Sequence, residues 1–242
     1  VSFTYSYRIV LRLILTESEI ILLDVGSHDE VYGYWEAKPC PKSEADIATT
    51  YRMARAADPY RLHWNNSSYC GRIYGGPFST DIISATIYTI RYVGGAPATV
   101  ASGDALVRSA AKTGDTPGLA GIWLQFYSGD GEAGSFGREP TAKEMEAMMY
   151  GCALKGVRAF WYFSMRPRST LLWRHTGELV REMEALKDVF AFGRRLPFAC
   201  SHPQVMGELW EHAGKLYLVT LNNGYAPAKG KINLPAPYRA GT

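Results

Sequence analysis

The sequence predicts an α/β fold: a parallel sheet followed by a small antiparallel β-domain. From residue 33 onward, short apolar runs alternate with amphipathic helical patterns, which is typical of parallel strands joined by helices. After residue 197 the pattern changes to alternating apolar and polar positions, which is typical of antiparallel strands. We therefore expect one domain over residues 1–197 and a second, β-sandwich-like domain over residues 198–242.

The candidate strands of the parallel sheet are short and separated by helical patterns. Before them, Phe3 and Tyr5 alternate like a strand, whereas residues 9–23 fit a helix or a strand equally well. The alternation alone fits a flat, doubly wound sheet as well as a barrel. The five candidates are residues 32–36, 61–65, 81–88, 121–127 and 157–164.

Two helices have ends that can be placed from local signals. Ser43 is a candidate cap for a helix over residues 43–57, which the following Asp-Pro pair closes. Thr141 and Glu144 have the spacing of a capping box, and the helix that they begin is expected to stop at Gly156.

Two further helices are predicted with weaker starts. Asp104 is a candidate cap for a short helix ending near Gly114. Thr176 is a candidate cap for a helix ending near Gly193, with an apolar stripe on one side.

The carboxyl-terminal residues predict a hairpin. Two alternating runs surround His212, Ala213 and Gly214, a short polar turn of the kind that joins antiparallel strands. The segment KINLP (231–235) is expected to add a third strand.

Composition excludes several classes of protein. The net charge is only +3 at pH 7 and the basic residues are scattered, so nucleic-acid binding is not expected. The most apolar stretch, residues 9–15, contains Arg12 and is much shorter than the roughly 20 residues that span a bilayer, so no membrane segment is expected. The cysteines form no CxxC pair, and nucleotide, metal and serine-hydrolase motifs are absent, so neither a cofactor nor a metal site is predicted. Cys152 is expected to be a small core residue.

The run HDEVYGYWEAKP (28–39) resembles the fourth-strand region of the glycoside hydrolases of the large retaining clan, clan A, and of their bacterial relatives. There, a pattern like HPxVxGYYxxDEP places an acid/base glutamate at the strand end. Further segments follow in the family's order: DPYRLHWNNS (58–67), a strand over 81–88, GIWLQF (121–126), REPTAKEMEAMMYGCALKGVRAFWYF (138–163) and LW (172–173).

This resemblance implies a (β/α)₈ barrel. Three strands precede the fourth-strand pattern in the family, whereas only residues 1–27 precede it here, so we expect a partial barrel. The resemblance also implies a secreted or periplasmic location. It gives no oligomeric state.

Catalysis in this family requires two carboxyl groups at the carboxyl ends of the strands. Glu36 directly follows GYW and is the candidate general acid/base, although a solvated loop glutamate explains it equally well. Alignment on the proline of EAKP would place Lys38 there instead. At the seventh strand, where the family has its nucleophile, this chain has Gln125, which can only form hydrogen bonds. Weak or absent two-carboxylate hydrolysis is therefore expected.

Aromatic residues crowd the predicted strand ends and are candidates for sugar binding. Alternate strand residues point to opposite sides, so about half of them are expected to be core residues facing the helices. The candidate substrate-binding residues are Trp35, Trp64, Asn65, Tyr88, Gln125, Tyr127 and Tyr162, with Gln125 expected to bind a sugar hydroxyl.

The resemblance therefore implies a glycoside hydrolase-like protein that acts on a poly- or oligosaccharide in a cleft at the strand ends. Two alternatives remain open. One is a non-catalytic carbohydrate-binding barrel that lacks one or both carboxylates, and the other is an inactive truncated fragment. For the glycoside hydrolase-like protein and for the non-catalytic barrel, the expected partner is a carbohydrate.

Overall fold

The computed structural model describes residues 7–14, 19–27, 44–66, 80–91, 95–111, 119–127, 138–163 and 167–234. The chain divides into two compact units, Val1–Ala45 and Asp46–Thr242. The candidate strand over residues 32–36 lies outside the described residues, as do Phe3 and Tyr5.

The first unit contains an antiparallel pair of strands. Strand β1 (Tyr7–Ile14) pairs with β2 (Glu19–Ser27), and the register shifts between Val10 and Leu11. Of the two alternatives for residues 9–23, the strand is therefore the one that forms over the described residues 9–14 and 19–23. Its apolar run contains several β-branched residues, which favour extended backbone.

The second unit begins with alternating helices and parallel strands. Its four-stranded sheet keeps the strands in the order of the sequence, and each strand is parallel to its neighbour. These four strands confirm four of the five predicted ones, but the described residues do not show a barrel. The elements are α1 (Glu44–Ala57), β3 (Trp64–Asn66), β4 (Ile82–Ile87), a 3₁₀ turn (Thr89–Arg91), α2 (Gly95–Ala110), β5 (Leu119–Gln125), α3 (Ala142–Lys155), β6 (Ala159–Phe163) and α4 (Thr170–Phe192).

The sheet packs one face against the helices. On β5, Ile122 and Leu124 are fully buried against α3 and α4, and on β4, Ile83 packs against α2. Cys152 of α3 lies in the same core, as expected, and burial raises the pKa of its thiol to about 12. Because side chains alternate along a strand, the neighbouring residues of β4, β5 and β6 point to the opposite face of the sheet.

The local signals confirm the end of α1 and both ends of α3. Helix α1 ends at Ala57 as predicted, whereas its predicted cap lies outside the described residues. At α3, Thr141 Oγ1 accepts a hydrogen bond from Glu144 N at 3.2 Å, and Glu144 Oε2 accepts one from Thr141 N at 2.8 Å. The helix ends at Gly156, whose φ of 104° is left-handed.

The two weaker starts are wrong. The helix predicted to begin at Asp104 begins at Gly95, and Asp104 lies within it, paired with Arg108 one turn later. The helix predicted to begin at Thr176 begins at Thr170. Its cap is Ser169, whose side chain accepts a hydrogen bond from Leu172 N at 3.1 Å.

The carboxyl-terminal part is antiparallel, and the predicted hairpin is confirmed. Strands β9 (Val205–His212) and β10 (Lys215–Asn222) are joined by Ala213 and Gly214, whose φ angles of 49° and 71° suit a two-residue hairpin turn. Strand β7 (Arg194–Leu196) pairs with β9. KINLP forms β11 (Ile232–Asn233), but this strand pairs with β8 (Ala199–Cys200) and not with the hairpin.

The antiparallel strands share a core with the helices. Trp210 of β9 is fully buried against Leu154 of α3 and Val189 of α4. The domain boundary at residue 197 stays a prediction. Among the described residues, no helix is long and apolar enough to cross a membrane.

Candidate functional site

The structure brings most of the described candidate residues to one side of the parallel sheet. We call this side, opposite to the one packed on α2, α3 and α4, the aromatic face. It carries Trp64, Gln125 and Tyr127, and Tyr88 extends it beyond the end of β4. Asn65 lies on β3, whereas Trp35 and Glu36 lie outside the described residues.

Tyr162 is separated from these residues. Its ring packs against Phe126 at 5.3 Å, and its hydroxyl donates a hydrogen bond to Met149 Sδ at 3.3 Å. It therefore faces α3 and belongs to the core, where burial raises its pKa to about 12. The prediction that Tyr162 shares a cleft with the other candidates is wrong, because it alternates with Trp161 along β6.

Three tryptophans form the center of the aromatic face. Trp64, Trp123 and Trp161, here called the tryptophan trio, have ring centroids 5.4–5.7 Å apart. Trp123 and Trp161 are nearly parallel, with an interplanar angle of 14°. Trp64 is 49% exposed, so an apolar ring surface is open to solvent.

Small residues under the trio allow this packing. A Cβ at Gly121 of β5 would lie 2.3 Å from Trp161 Cζ3, so only glycine lets the Trp161 ring lie over β5. On β4, Ser84 lies on this face between Ile82, the register partner of Trp64, and Thr86, the register partner of Trp123, and it is fully buried.

The position of Trp64 is fixed by the residue before it. Asp81 Oδ2 accepts a hydrogen bond from His63 N at 2.8 Å, and Asp81 N donates to His63 O at 2.9 Å. Tyr51 of α1 donates its hydroxyl to Asp81 Oδ1 at 2.7 Å. These bonds hold the start of β3 in register with β4.

A second aromatic group lies at the carboxyl ends of the strands. Tyr88, Tyr127 and Phe163, here called the aromatic triangle, have ring centroids 5.3–5.4 Å apart. Burial raises the pKa of Tyr88 above its ordinary value. Phe163 was not among the sequence candidates, although it follows Trp161 by two residues and therefore shares its face.

The aromatic triangle covers Gln125. Phe163 is opposite Gln125 in the register of β5 and β6, and the rings of Tyr88 and Phe163 come from the strands on either side of β5. These rings meet on the face of the sheet that carries Gln125, and Gln125 is only 1% exposed. Gln125 is on the expected face, but its side chain is sealed from solvent.

The amide of Gln125 binds the backbone. Nε2 donates hydrogen bonds to Tyr127 O at 3.2 Å and to Arg138 O at 3.1 Å. Oε1 is buried and has no hydrogen-bond partner among the described residues.

Two glutamates that follow β5 are bound within the structure. Glu144 accepts hydrogen bonds from both terminal nitrogens of Arg138, at 2.6 and 2.7 Å, and these bonds hold the pKa of its carboxyl at about 2. The carboxylate of Glu139 accepts hydrogen bonds from Arg168 N and from Ser169 N, the latter at 3.0 Å. Both carboxylates therefore form hydrogen bonds that hold neighbouring segments of the chain together.

Metal ligation finds no support in the described part of the chain. No group of three or more His, Cys, Asp or Glu residues there could hold a metal ion.

Comparison with known proteins found nothing similar. No family model matches the sequence, and neither the curated proteins nor the solved structures contain a significant match.

Proposed function

We propose that this chain is a glycoside hydrolase-like protein that binds a poly- or oligosaccharide on the aromatic face. The observation that carries the proposal is the tryptophan trio, whose Trp64 ring is about half exposed. Sugar rings present apolar CH faces that pack on aromatic rings, and an exposed indole supplies such a surface. Asn65 follows Trp64 directly on β3, where successive residues alternate between the two faces, so the proposal assigns it no contact on the aromatic face.

The proposal assigns binding and not two-carboxylate hydrolysis. Hydrolysis by that route needs two carboxyl groups about 5–5.5 Å apart for retention or about 6.5–9.5 Å apart for inversion. Gln125 holds the place that the resemblance gives to the nucleophile, and its amide is covered by the aromatic triangle. Glu139 and Glu144 are held by their own partners.

The binding test uses hexasaccharides of hexose, pentose and N-acetylhexosamine units, titrated by calorimetry. We expect the wild-type chain to bind at least one of them, and Trp64→Ala to weaken that binding about tenfold or more, which equals roughly 1.4 kcal/mol for one lost aromatic contact. Trp173→Ala is the matched control, because Trp173 is 56% exposed but lies against Phe126 on the helix side of β5. Equal affinities of the two variants would contradict the proposal, as would no binding by the wild type.

The hydrolysis test measures the release of reducing ends from the same sugars. We expect no release above that of a Glu36→Gln variant. Release by the wild type that Glu36→Gln lowers about a hundredfold, the scale of general acid catalysis, would support the enzyme instead.

A further inference from the structure

The environment of the Gln125 side-chain amide favours a hydrogen-bond donor and disfavours a negative charge. Nε2 lies within hydrogen-bond distance of two carbonyl oxygens, those of Tyr127 and Arg138. Carbonyl oxygens only accept, so the opposite orientation of the amide would place Oε1 against two acceptors. The two hydrogens of Nε2 therefore have one partner each.

Among the described residues, both hydrogen bonds of the Gln125 side chain go to uncharged carbonyl oxygens, which cannot compensate an anion. Gln125 is only 1% exposed, so its side chain has almost no contact with bulk water. Arg138, whose carbonyl oxygen accepts one of these bonds, has a guanidinium that binds Glu144 through both terminal nitrogens. A buried carboxylate without a partner is strongly disfavoured relative to its protonated form.

We propose that Gln125 is a positioning residue that must be a neutral hydrogen-bond donor, because its amide ties the end of β5 to Arg138 and its site excludes an ionised carboxylate. Tyr127 and Arg138 flank residues 128–137, so one amide joins the two ends of this segment. Through Arg138 it is connected to Glu144 and hence to the first turn of α3. The inference does not rest on the proposed carbohydrate binding.

The decisive variant is Gln125→Glu, which keeps the shape of the side chain. Burial raises the pKa of the introduced carboxyl in the folded state, so the folded state binds more protons than the unfolded one. Stability of the variant relative to wild type is then greatest below the unfolded pKa and falls as pH rises. Its unfolding equilibrium constant, divided by that of wild type, should increase about tenfold per pH unit above about pH 4.3 until the folded pKa is reached.

Two controls separate this effect from simple loss of packing. Gln125→Met removes the donors without adding a charge, so its destabilisation should not depend on pH. Gln204→Glu introduces the same carboxyl at an exposed position, so its effect should be small and nearly constant with pH. A Gln125→Glu variant with the same relative stability at pH 4 and pH 8 would overturn the proposal.

A measurement on the wild-type chain decides the matter even where the variant does not fold. Both Nε2 hydrogens of Gln125 are bonded and buried, so its side-chain amide resonances should exchange with solvent at least about a hundredfold more slowly than those of the exposed Gln204. Equally fast exchange of the two glutamine side chains would contradict the proposed pair of hydrogen bonds from Gln125 Nε2.

Discussion

Glu144 joins separate segments of the chain through one carboxylate. It binds the Arg138 guanidinium, accepts the Thr141 amide at 2.8 Å, and accepts the Tyr225 hydroxyl at 3.2 Å. The Tyr225 oxygen also accepts a hydrogen bond from Ala96 N, at the start of α2. A Cβ at Gly95, which has a φ of 53°, would lie 1.8 Å from that oxygen, so only glycine fits there.

The pKa of Glu144 makes stability depend on pH in a defined window. Its folded pKa of about 2 lies below the ordinary 4.5, so the stabilisation is present above about pH 4.5 and is lost as pH falls to about 2. At pH 7 we expect Glu144→Gln to lower the free energy of unfolding by about 1–3 kcal/mol, because hydrogen bonds to a charged group are lost. The difference from wild type should shrink below about pH 4.5, as measured by urea unfolding.

The control for this prediction is Glu184→Gln, at an exposed residue that pairs with Lys187 on the surface. Surface ion pairs contribute little, so this variant should stay within about 0.5 kcal/mol of wild type. A Glu144→Gln penalty that is constant from pH 7 to pH 3 would contradict the assigned cause.

At the scale of single residues, the sequence predicts contacts between near neighbours. The capping box of Thr141 and Glu144 is readable because its partners are three residues apart. The bond from Gln125 to Arg138 spans thirteen residues, a separation that no local pattern specifies. The aromatic pattern at the strand ends predicts Tyr162 in the cleft, whereas alternation from Trp161 places it on the helix side of the sheet.

At the scale of elements, helices α2 and α3 approach closely at two glycines. A Cβ at Gly151 would lie 2.3 Å from Val100 Cγ2, and a Cβ at Gly103 would lie 2.9 Å from Cys152 Sγ. Glycine costs helix propensity at both places. The close packing of the two helices offsets that cost.

The close approach predicts opposite effects for two glycine substitutions. Gly151→Ala should lower the free energy of unfolding by about 1–3 kcal/mol, because the added methyl overlaps Val100. Gly177→Ala in α4 should raise it by about 0.5–1 kcal/mol, because nothing lies within 4 Å and only helix propensity changes. Chemical denaturation of both variants checks this, and a stabilising Gly151→Ala would refute the packing argument.

Helix starts show why elements are harder to delimit than to detect. Helix α2 begins in the run GGAP (94–97), which has no side chain able to cap it, while its proline suits a first turn. Asp104 supplies a capping signal, yet its carboxylate pairs with Arg108 within the helix. An aspartate therefore does not mark a helix start when the residues on both sides of it are helical.

At the scale of the whole molecule, the helices and the antiparallel hairpin share one core around Trp210. We expect Trp210→Ala to lower the free energy of unfolding by about 3–5 kcal/mol, since a fully buried tryptophan leaves a cavity. Hydrogen exchange should accelerate together in residues 142–192 and 205–222, because Leu154 and Val189 lose the same contact.

Leu218→Ala is the control for this prediction, because Leu218 lies on β10 but is 43% exposed. The Leu218→Ala variant should lower the free energy of unfolding much less and leave hydrogen exchange in α3 and α4 unchanged. Accelerated exchange confined to the hairpin in Trp210→Ala would instead support an independent domain that begins near residue 197.

The whole architecture was predictable only as far as the alternation of strands and helices. That alternation identifies parallel pairing, and β3 to β6 bear it out. Closure into a barrel requires pairing between the first and last strands, and the same alternation occurs in open sheets. The predicted barrel therefore stays a prediction.

The tryptophan trio also gives the molecule an optical property. Three of its six indoles lie within 6 Å of one another, a separation at which their electronic transitions couple. Coupled indoles produce a circular dichroism signal that depends on their mutual angles. A bound molecule that reorients the Trp64 ring thus alters the near-ultraviolet circular dichroism spectrum of the native chain. Binding to the aromatic face can therefore be followed without an attached label.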